Sequence, residues 1–131
     1  MNQDLGYTKE ARGQIPEIVE SLAKELKQRG FGVLSNIDVQ KLIKEKTGAD
    51  MDPYVILDVC NPHHAKGALD AHKEVGLALP CKIIVYRNGE RNLVSLYRPT
   101  KALSVLGFDD LQPVAELVEA ELRAAVDAVA K

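Results

Sequence analysis

This 131-residue chain has few cysteines, no excess of one charge sign and no long hydrophobic run. Two cysteines are too few for a disulfide scaffold. Seventeen basic and nineteen acidic residues leave a formal net charge of −2, which provides no basic footprint for general nucleic-acid binding. No apolar run approaches the roughly 18 residues that a membrane span needs. We therefore expect neither nucleic-acid nor membrane partners.

The N-terminus and the bulk composition indicate an ordinary globular protein of the cytoplasm. Residues 1–7 lack the basic start and apolar core of a secretory signal, so we expect a cytoplasmic location. In that reducing compartment Cys60 and Cys81 are predicted to be free thiols. A hydrophobic fraction of 46% and a charged fraction of 27% are typical of folded domains. The length fits one domain, residues 1–131.

Hydrophobic periodicity predicts a long helix near each end of the chain, over residues 15–29 and 111–130. Two shorter helices are predicted over residues 38–46 and 62–72. Asp38 and Asn61 are placed to cap them, and Pro62 suits a first helical turn. In the last helix one continuous apolar stripe needs a covering partner: Leu111, Val114, Ala115, Val118, Leu122, Ala125, Val126 and Val129.

Five strands are predicted, over residues 3–7, 31–37, 54–60, 81–87 and 90–98. Asn88-Gly89 is typical of a two-residue type I′ hairpin turn, which would pair Arg87 with Glu90 and Cys81 with Leu96. Side chains alternate between faces, so one face of this hairpin is apolar: Cys81, Ile83, Val85, Val94 and Leu96. The other face is mixed and suits a subunit interface, a ligand or a half-exposed sheet: Lys82, Ile84, Tyr86, Arg91, Leu93 and Ser95.

The element order β-α-β-α-β-α-β-β-α, with a hairpin near its end, predicts the fold class. We expect an α+β fold in which helices pack on one face of a single, mainly antiparallel sheet.

The chain contains an ordered set of four short motifs: Gly30-Phe31-Gly32-Val33-Leu34, Ile37-Asp38-Val39, Cys60-Asn61-Pro62 and Leu79-Pro80-Cys81. Together they resemble the bacterial and archaeal family known as Domain of Unknown Function 302. The resemblance implies a curved antiparallel sheet backed by helices, like that of the TATA-box-binding protein, and a homodimer. It implies no DNA binding, since fold alone does not carry function, and no biochemical activity. The sequence departs from the family at Arg98-Pro99, where members tend to place an acidic residue before the proline.

Both cysteines lie at predicted strand ends beside turn-forming residues, and three interpretations remain open. They are buried structural residues, with Asn61 serving only as a helix cap. Alternatively, Cys60, Asn61, Pro62 and Cys81 line a ligand pocket, where the free N–H groups of the helix start favour an anion or polar ligand. In the third interpretation the thiols carry redox or soft-metal chemistry, with Cys60, His63 and Cys81 as metal ligands.

The sequence provides weak support for catalysis or for a metal cluster. His63 and His64 are adjacent, so they point about 100° apart around a helix, and no Cys-x-x-Cys spacing is present. No phosphate-binding loop, nucleophile elbow or zinc-protease motif occurs. We predict a non-catalytic, homodimeric domain that binds a small ligand. The sequence does not identify a cofactor. The alternative is a thiol-dependent redox or soft-metal-binding protein that uses Cys60 and Cys81.

Overall fold

The computed structural model describes residues 5–130 and contains one five-stranded sheet. The order across the sheet is β1-β5-β4-β3-β2, and every neighbouring pair is antiparallel. Strands β2 to β5 therefore form a meander, and β1 pairs with the free edge of β5. The strands are β1 (Gly6–Ala11), β2 (Gly32–Asp38), β3 (Tyr54–Cys60), β4 (Cys81–Asn88) and β5 (Arg91–Tyr97).

Within residues 5–130 five α-helices accompany the sheet, and two 3₁₀ segments span Lys73–Ala78 and Asp109–Leu111. The mixed α+β class with an antiparallel sheet is confirmed. Asp38 and Asn61 cap α2 and α3 through their side chains, as predicted. The helices are α1 (Ile15–Gln28), α2 (Val39–Thr47), α3 (Pro62–Ala71), α4 (Pro99–Val105) and α5 (Gln112–Val129).

Two elements depart from the sequence prediction. Strand β1 covers Gly6–Ala11 rather than residues 3–7, and residues 3 and 4 lie outside the described part of the chain. This edge strand is exposed at Thr8, Lys9 and Glu10, so it lacks the hydrophobic alternation that marks a half-buried strand. Helix α4 was not predicted, because seven residues make too short a stretch for helical periodicity to be recognised.

The hairpin between β4 and β5 has a different register from the predicted one. Gly89 and Glu90 form the loop, so that Asn88 pairs with Arg91 and Arg87 pairs with Asn92. Gly89 has a φ of 67°, and no non-glycine residue among residues 5–130 has a positive φ. A type I′ turn needs two such residues, whereas glycine at the first loop position is typical of type II′. The predicted partners of Cys81 and Arg87 were therefore wrong.

The register differs by two residues, so each side chain keeps its predicted face. The apolar face of the sheet packs against α1 and α5 and contains fully buried residues of both hairpin strands. Cys81 is 7% exposed at the end of this core. A second, smaller core joins α3, the 3₁₀ segments, α4 and α5 around Val75, Leu103, Leu111 and Ala115.

One carboxylate, that of Glu119 on α5, is buried among the described residues, with 5% of the residue exposed. Its Oε1 accepts hydrogen bonds from the backbone N (3.0 Å) and Oγ1 (2.6 Å) of Thr100, in the first turn of α4. Its Oε2 accepts one from Nε of Arg98 at 2.9 Å and lies 3.4 Å from Nε of Arg123. Burial favours a raised pKa for Glu119, but the bonds from Thr100 and Arg98 outweigh it, and the pKa is lowered. The carboxylate therefore ties the start of α4 to α5.

Replacing Glu119 is expected to destabilise the fold. Glu119→Ala leaves Arg98 and Arg123 without their shared counter-charge. We expect the free energy of unfolding to fall by about 3 kcal/mol, the low end of the range for breaking a buried ion pair. The low end applies because both arginines keep some exposure. Urea unfolding followed by circular dichroism measures the loss. The matched control is Glu116→Ala, an exposed position on the same helix, for which no comparable loss is expected.

The same carboxylate predicts an acid dependence of stability. Because its folded-state pKa is lowered, its contribution is present above the ordinary carboxyl pKa of 4.5 and is lost as the pH falls below that value. The difference in unfolding free energy between the natural protein and Glu119→Gln should therefore shrink below that pH. A difference that stays constant through the acid range would contradict the ionised network.

Candidate functional site

A pocket of about 60 Å³ lies between the two cores, at the end of the sheet where β3 and β5 finish and β4 begins. Helices α3, α4 and α5 and the first 3₁₀ segment form its other walls. The lining is mostly apolar, and no Asp, Glu, Lys or Arg belongs to it. Its residues are Phe31, Val59, Cys60, Asn61, His64, Ala65, Ala68, Val75, Ala78, Leu79, Pro80, Cys81, Tyr97, Pro99, Leu103, Val114, Ala115 and Val118.

Strand pairing brings the two cysteines to this pocket. Val59 of β3 pairs with Cys81, the first residue of β4, and Cys60 is the last residue of β3. The two thiols therefore lie at the same end of the sheet. Cys81 is buried and Cys60 is half-buried, and both are free.

The pocket keeps its acidic groups protonated. Burial raises the pKa of Cys60, and it raises the pKa of Cys81 to about 12, with a further increase from the neighbouring Cys60 thiol. A hydrogen bond with Tyr97 opposes the shift of Cys81 only in part. Burial also raises the pKa of Tyr97, whose hydroxyl donates to the carbonyl oxygen of Ala78 at 2.6 Å. At neutral pH these groups are uncharged, and a protonated thiol is a poor nucleophile and metal ligand.

Asn61 shapes the wall formed by the start of α3. Its Oδ1 accepts hydrogen bonds from the backbone N–H groups of His63 (3.1 Å) and His64 (3.2 Å). These two backbone N–H groups are among those that the sequence predicts to bind an anion, and here they donate to the Asn61 side chain instead. Gly30, with a φ of 85°, lies against the amide, since a Cβ at that position would be 3.2 Å from Nδ2 of Asn61. The local geometry favours an apolar ligand over an anion bound at the helix start.

The structure brings together three of the four residues predicted to bind a ligand. Cys60, Asn61 and Cys81 line the pocket, whereas Pro62 is exposed in the first turn of α3. His64 also lines it, and His63 does not. Among residues 5–130 no three His, Cys, Asp or Glu side chains are grouped to hold a metal ion, so the predicted set of Cys60, His63 and Cys81 does not form a cluster here.

Sequence reasoning missed the lining residues that come from distant parts of the chain. Tyr97 is the last residue of β5, and Pro99 and Leu103 belong to α4. The lining residues of α5 belong to the predicted apolar stripe. Leu79 and Pro80 belong to the motif Leu79-Pro80-Cys81, of which only Cys81 was predicted to bind a ligand. The one available signal was that motif, because contacts between elements far apart in sequence leave no local pattern.

Comparison with known proteins supports the family resemblance. The sequence matches the family described as "Domain of unknown function DUF302" over residues 7–129. The chain belongs to the DUF302 family. A crystal structure of an uncharacterized conserved DUF302 protein from Bacillus stearothermophilus is similar, with a TM-score of 0.90 and 35% sequence identity over 95% of this chain and 98% of that one. None of the curated proteins compared with this DUF302 chain matches it. No helix within residues 5–130 has the length and apolar character to cross a membrane.

The environment of the thiols predicts unequal and slow reactivity. In the native protein at neutral pH, Cys60 should react with a disulfide reagent more slowly than a fully exposed cysteine does. Cys81 should react only after the protein unfolds. Burial of Cys81 and the raised pKa of both groups are the reasons. Timed labelling followed by peptide mass spectrometry measures both rates. Rapid modification of Cys81 in the folded protein would contradict the structure.

Proposed function

We propose that this DUF302 protein is a non-catalytic binding domain that holds a small, mainly apolar molecule in the strand-end pocket. The observation that carries the proposal is an apolar cavity with no Asp, Glu, Lys or Arg in its lining. The protonated thiols of Cys60 and Cys81 support it, because they offer little to a charged substrate. Ligand pockets are typically concave and apolar with a few placed polar groups.

Filling the pocket should abolish binding of an apolar probe. Xenon enters dry apolar cavities and, under pressure, should shift the methyl resonances of the lining residues in a saturable way. Ala68→Leu adds volume inside the pocket and should remove this response. Ala71→Leu, at an exposed position on the same helix, should leave it intact. A natural protein whose pocket methyl groups do not respond to xenon would refute the proposal.

We also propose that the domain is a homodimer that associates through the face of the sheet opposite α1 and α5. Ile37, Ile56 and Ile84 are neighbours across β2, β3 and β4 on this face. Tyr54 and Tyr86 continue it, with ring centroids 5.4 Å apart. An apolar band of this kind, bordered by the Lys82–Asp58 ion pair (2.6 Å), is typical of a surface that meets a partner. The alternative remains a half-exposed sheet.

A charge placed on this band should dissociate the dimer. Ile84→Lys places an ammonium group on the apolar band, where dimer formation would remove its water. The control, Leu77→Lys, changes a leucine that is 84% exposed elsewhere on the molecule. Sedimentation at micromolar concentration should give a dimer for the natural protein and Leu77→Lys, and a monomer for Ile84→Lys. A natural protein that sediments as a monomer would exclude the interface.

The alternative function, thiol redox or soft-metal binding, has one supporting observation: Cys60 and Cys81 line the same pocket. The raised pKa of each thiol opposes it. Two free thiols also suit the reducing cytoplasm that we expect for this protein. Thiol titration with and without zinc or copper(I) separates the alternatives, because a thiolate-bound metal would protect both cysteines from the reagent. Native mass spectrometry of the protein from its own host would report any retained metal or organic ligand.

A further inference from the structure

We infer that the pocket binds the aliphatic end of a longer amphiphilic molecule and leaves the polar head group of that molecule in the solvent. This inference rests on the proposed binding function of the pocket and adds the chemical class of the ligand. The pocket should select its ligand by the length of an aliphatic segment and not by the head group. Three features carry the inference: the apolar surface of the pocket, its opening to solvent and its small volume.

The surface that the pocket presents is almost wholly apolar. The two thiols add little hydrogen-bonding capacity, because a thiol is a weak donor and a weak acceptor. The Tyr97 hydroxyl donates to the carbonyl oxygen of Ala78 at 2.6 Å, so it is already used within the wall. Since no Asp, Glu, Lys or Arg among residues 5–130 lines the pocket, a charged or strongly polar head group would lose its water there without compensation.

The pocket is not closed off from solvent. Its inner wall contains fully buried side chains of the sheet and of the second core, such as those of Val59 and Val75. Other lining residues are only half-buried, among them Ala65 on α3 and Val118 on α5. A flexible chain can therefore enter with one end while the rest of the molecule stays outside.

The volume of the pocket limits how much of a ligand it can enclose. An engineered apolar cavity of about 150 Å³ holds one benzene molecule, and one water-sized group needs roughly 10–15 Å³. For the volume of about 60 Å³ found here, the first scale gives room for about two carbon groups and the second for about four. The pocket therefore encloses the end of an aliphatic chain and not a whole amphiphile.

Burial of so few carbon groups provides little affinity. Each CH₂ group removed from water contributes about fourfold to the binding constant, so four groups contribute about two hundredfold. A molecule that fits wholly inside the pocket would therefore bind weakly. A longer amphiphile can add contacts on the surface around the opening, and we expect the natural ligand to be of this kind.

The test measures the affinity of straight-chain alcohols from ethanol to octanol by methyl NMR shifts at neutral pH. The binding constant should rise about fourfold with each carbon while the chain fills the pocket. Beyond about four carbons it should rise much less, because further groups stay in contact with water. Butanol, butanoate and butylammonium should bind within about threefold of one another, since their head groups keep their water.

Two variants change the capacity of the pocket in opposite directions. Ala68→Leu fills the pocket and should remove the steep part of the series. Val118→Ala enlarges it and should extend the steep part by about two carbons. The matched controls are Ala71→Leu, at an exposed position on α3, and Val105→Ala, at a valine on α4 that is 77% exposed. Both controls should reproduce the series of the natural protein.

The outcomes separate this inference from the proposed function. If xenon does not enter the natural protein, the binding function itself is refuted. If xenon enters but the alcohol series has no change of slope, the function stands and the binding of a chain end is overturned. A difference of more than about tenfold among the three head groups would overturn it as well. Should Ala68→Leu unfold, Val118→Ala provides an independent reading, and an unshifted change of slope in that variant would contradict the inference.

Discussion

The antiparallel pairing of β3 with β4 is the constraint on which the site depends. Because Val59 pairs with Cys81, the end of β3 and the start of β4 meet at one edge of the sheet. The chain must then leave β3 and return to β4 on that same edge, and α3 and the first 3₁₀ segment fill this connection. Their apolar side chains pack with residues of α4, α5 and the second 3₁₀ segment to form the second core beside the first. The pocket is the space that remains between the two.

The wall formed by α4 depends on a different interaction. Helix α4 is short, and its cap residue Arg98 makes no side-chain cap bond. Glu119 substitutes for that cap by accepting two hydrogen bonds from Thr100. Arg98 itself donates to Glu119. Arg98, Thr100 and Glu119 thus form the network that holds the start of α4, from which Pro99 and Leu103 line the pocket.

Local chemistry made much of this fold predictable, and long-range contacts explain what was missed. Periodicity located α1 and α5, and Asn61 followed by Pro62 predicted the cap and first turn of α3. The predicted hairpin register was wrong by two residues, because Asn88-Gly89 is a local pattern typical of a type I′ loop, whereas the loop is formed by Gly89 and Glu90. Cys60, Asn61 and Cys81 were predicted site residues, but Tyr97 and the wall formed by α4 and α5 depend on contacts that no local pattern reveals.

Burial is the single physical cause that discriminates between the two functions considered for this pair of cysteines. The apolar surroundings that suit a ligand also stabilise the neutral thiol over the thiolate, most strongly at Cys81. Helix α3 does not reverse this effect, because the Oδ1 atom of Asn61 already occupies two of its first N–H groups. A thiolate function would need a nearby cation or an open helix start, and no cation lines this pocket. The environment that makes the cavity suitable for an apolar molecule therefore also makes its cysteines unreactive.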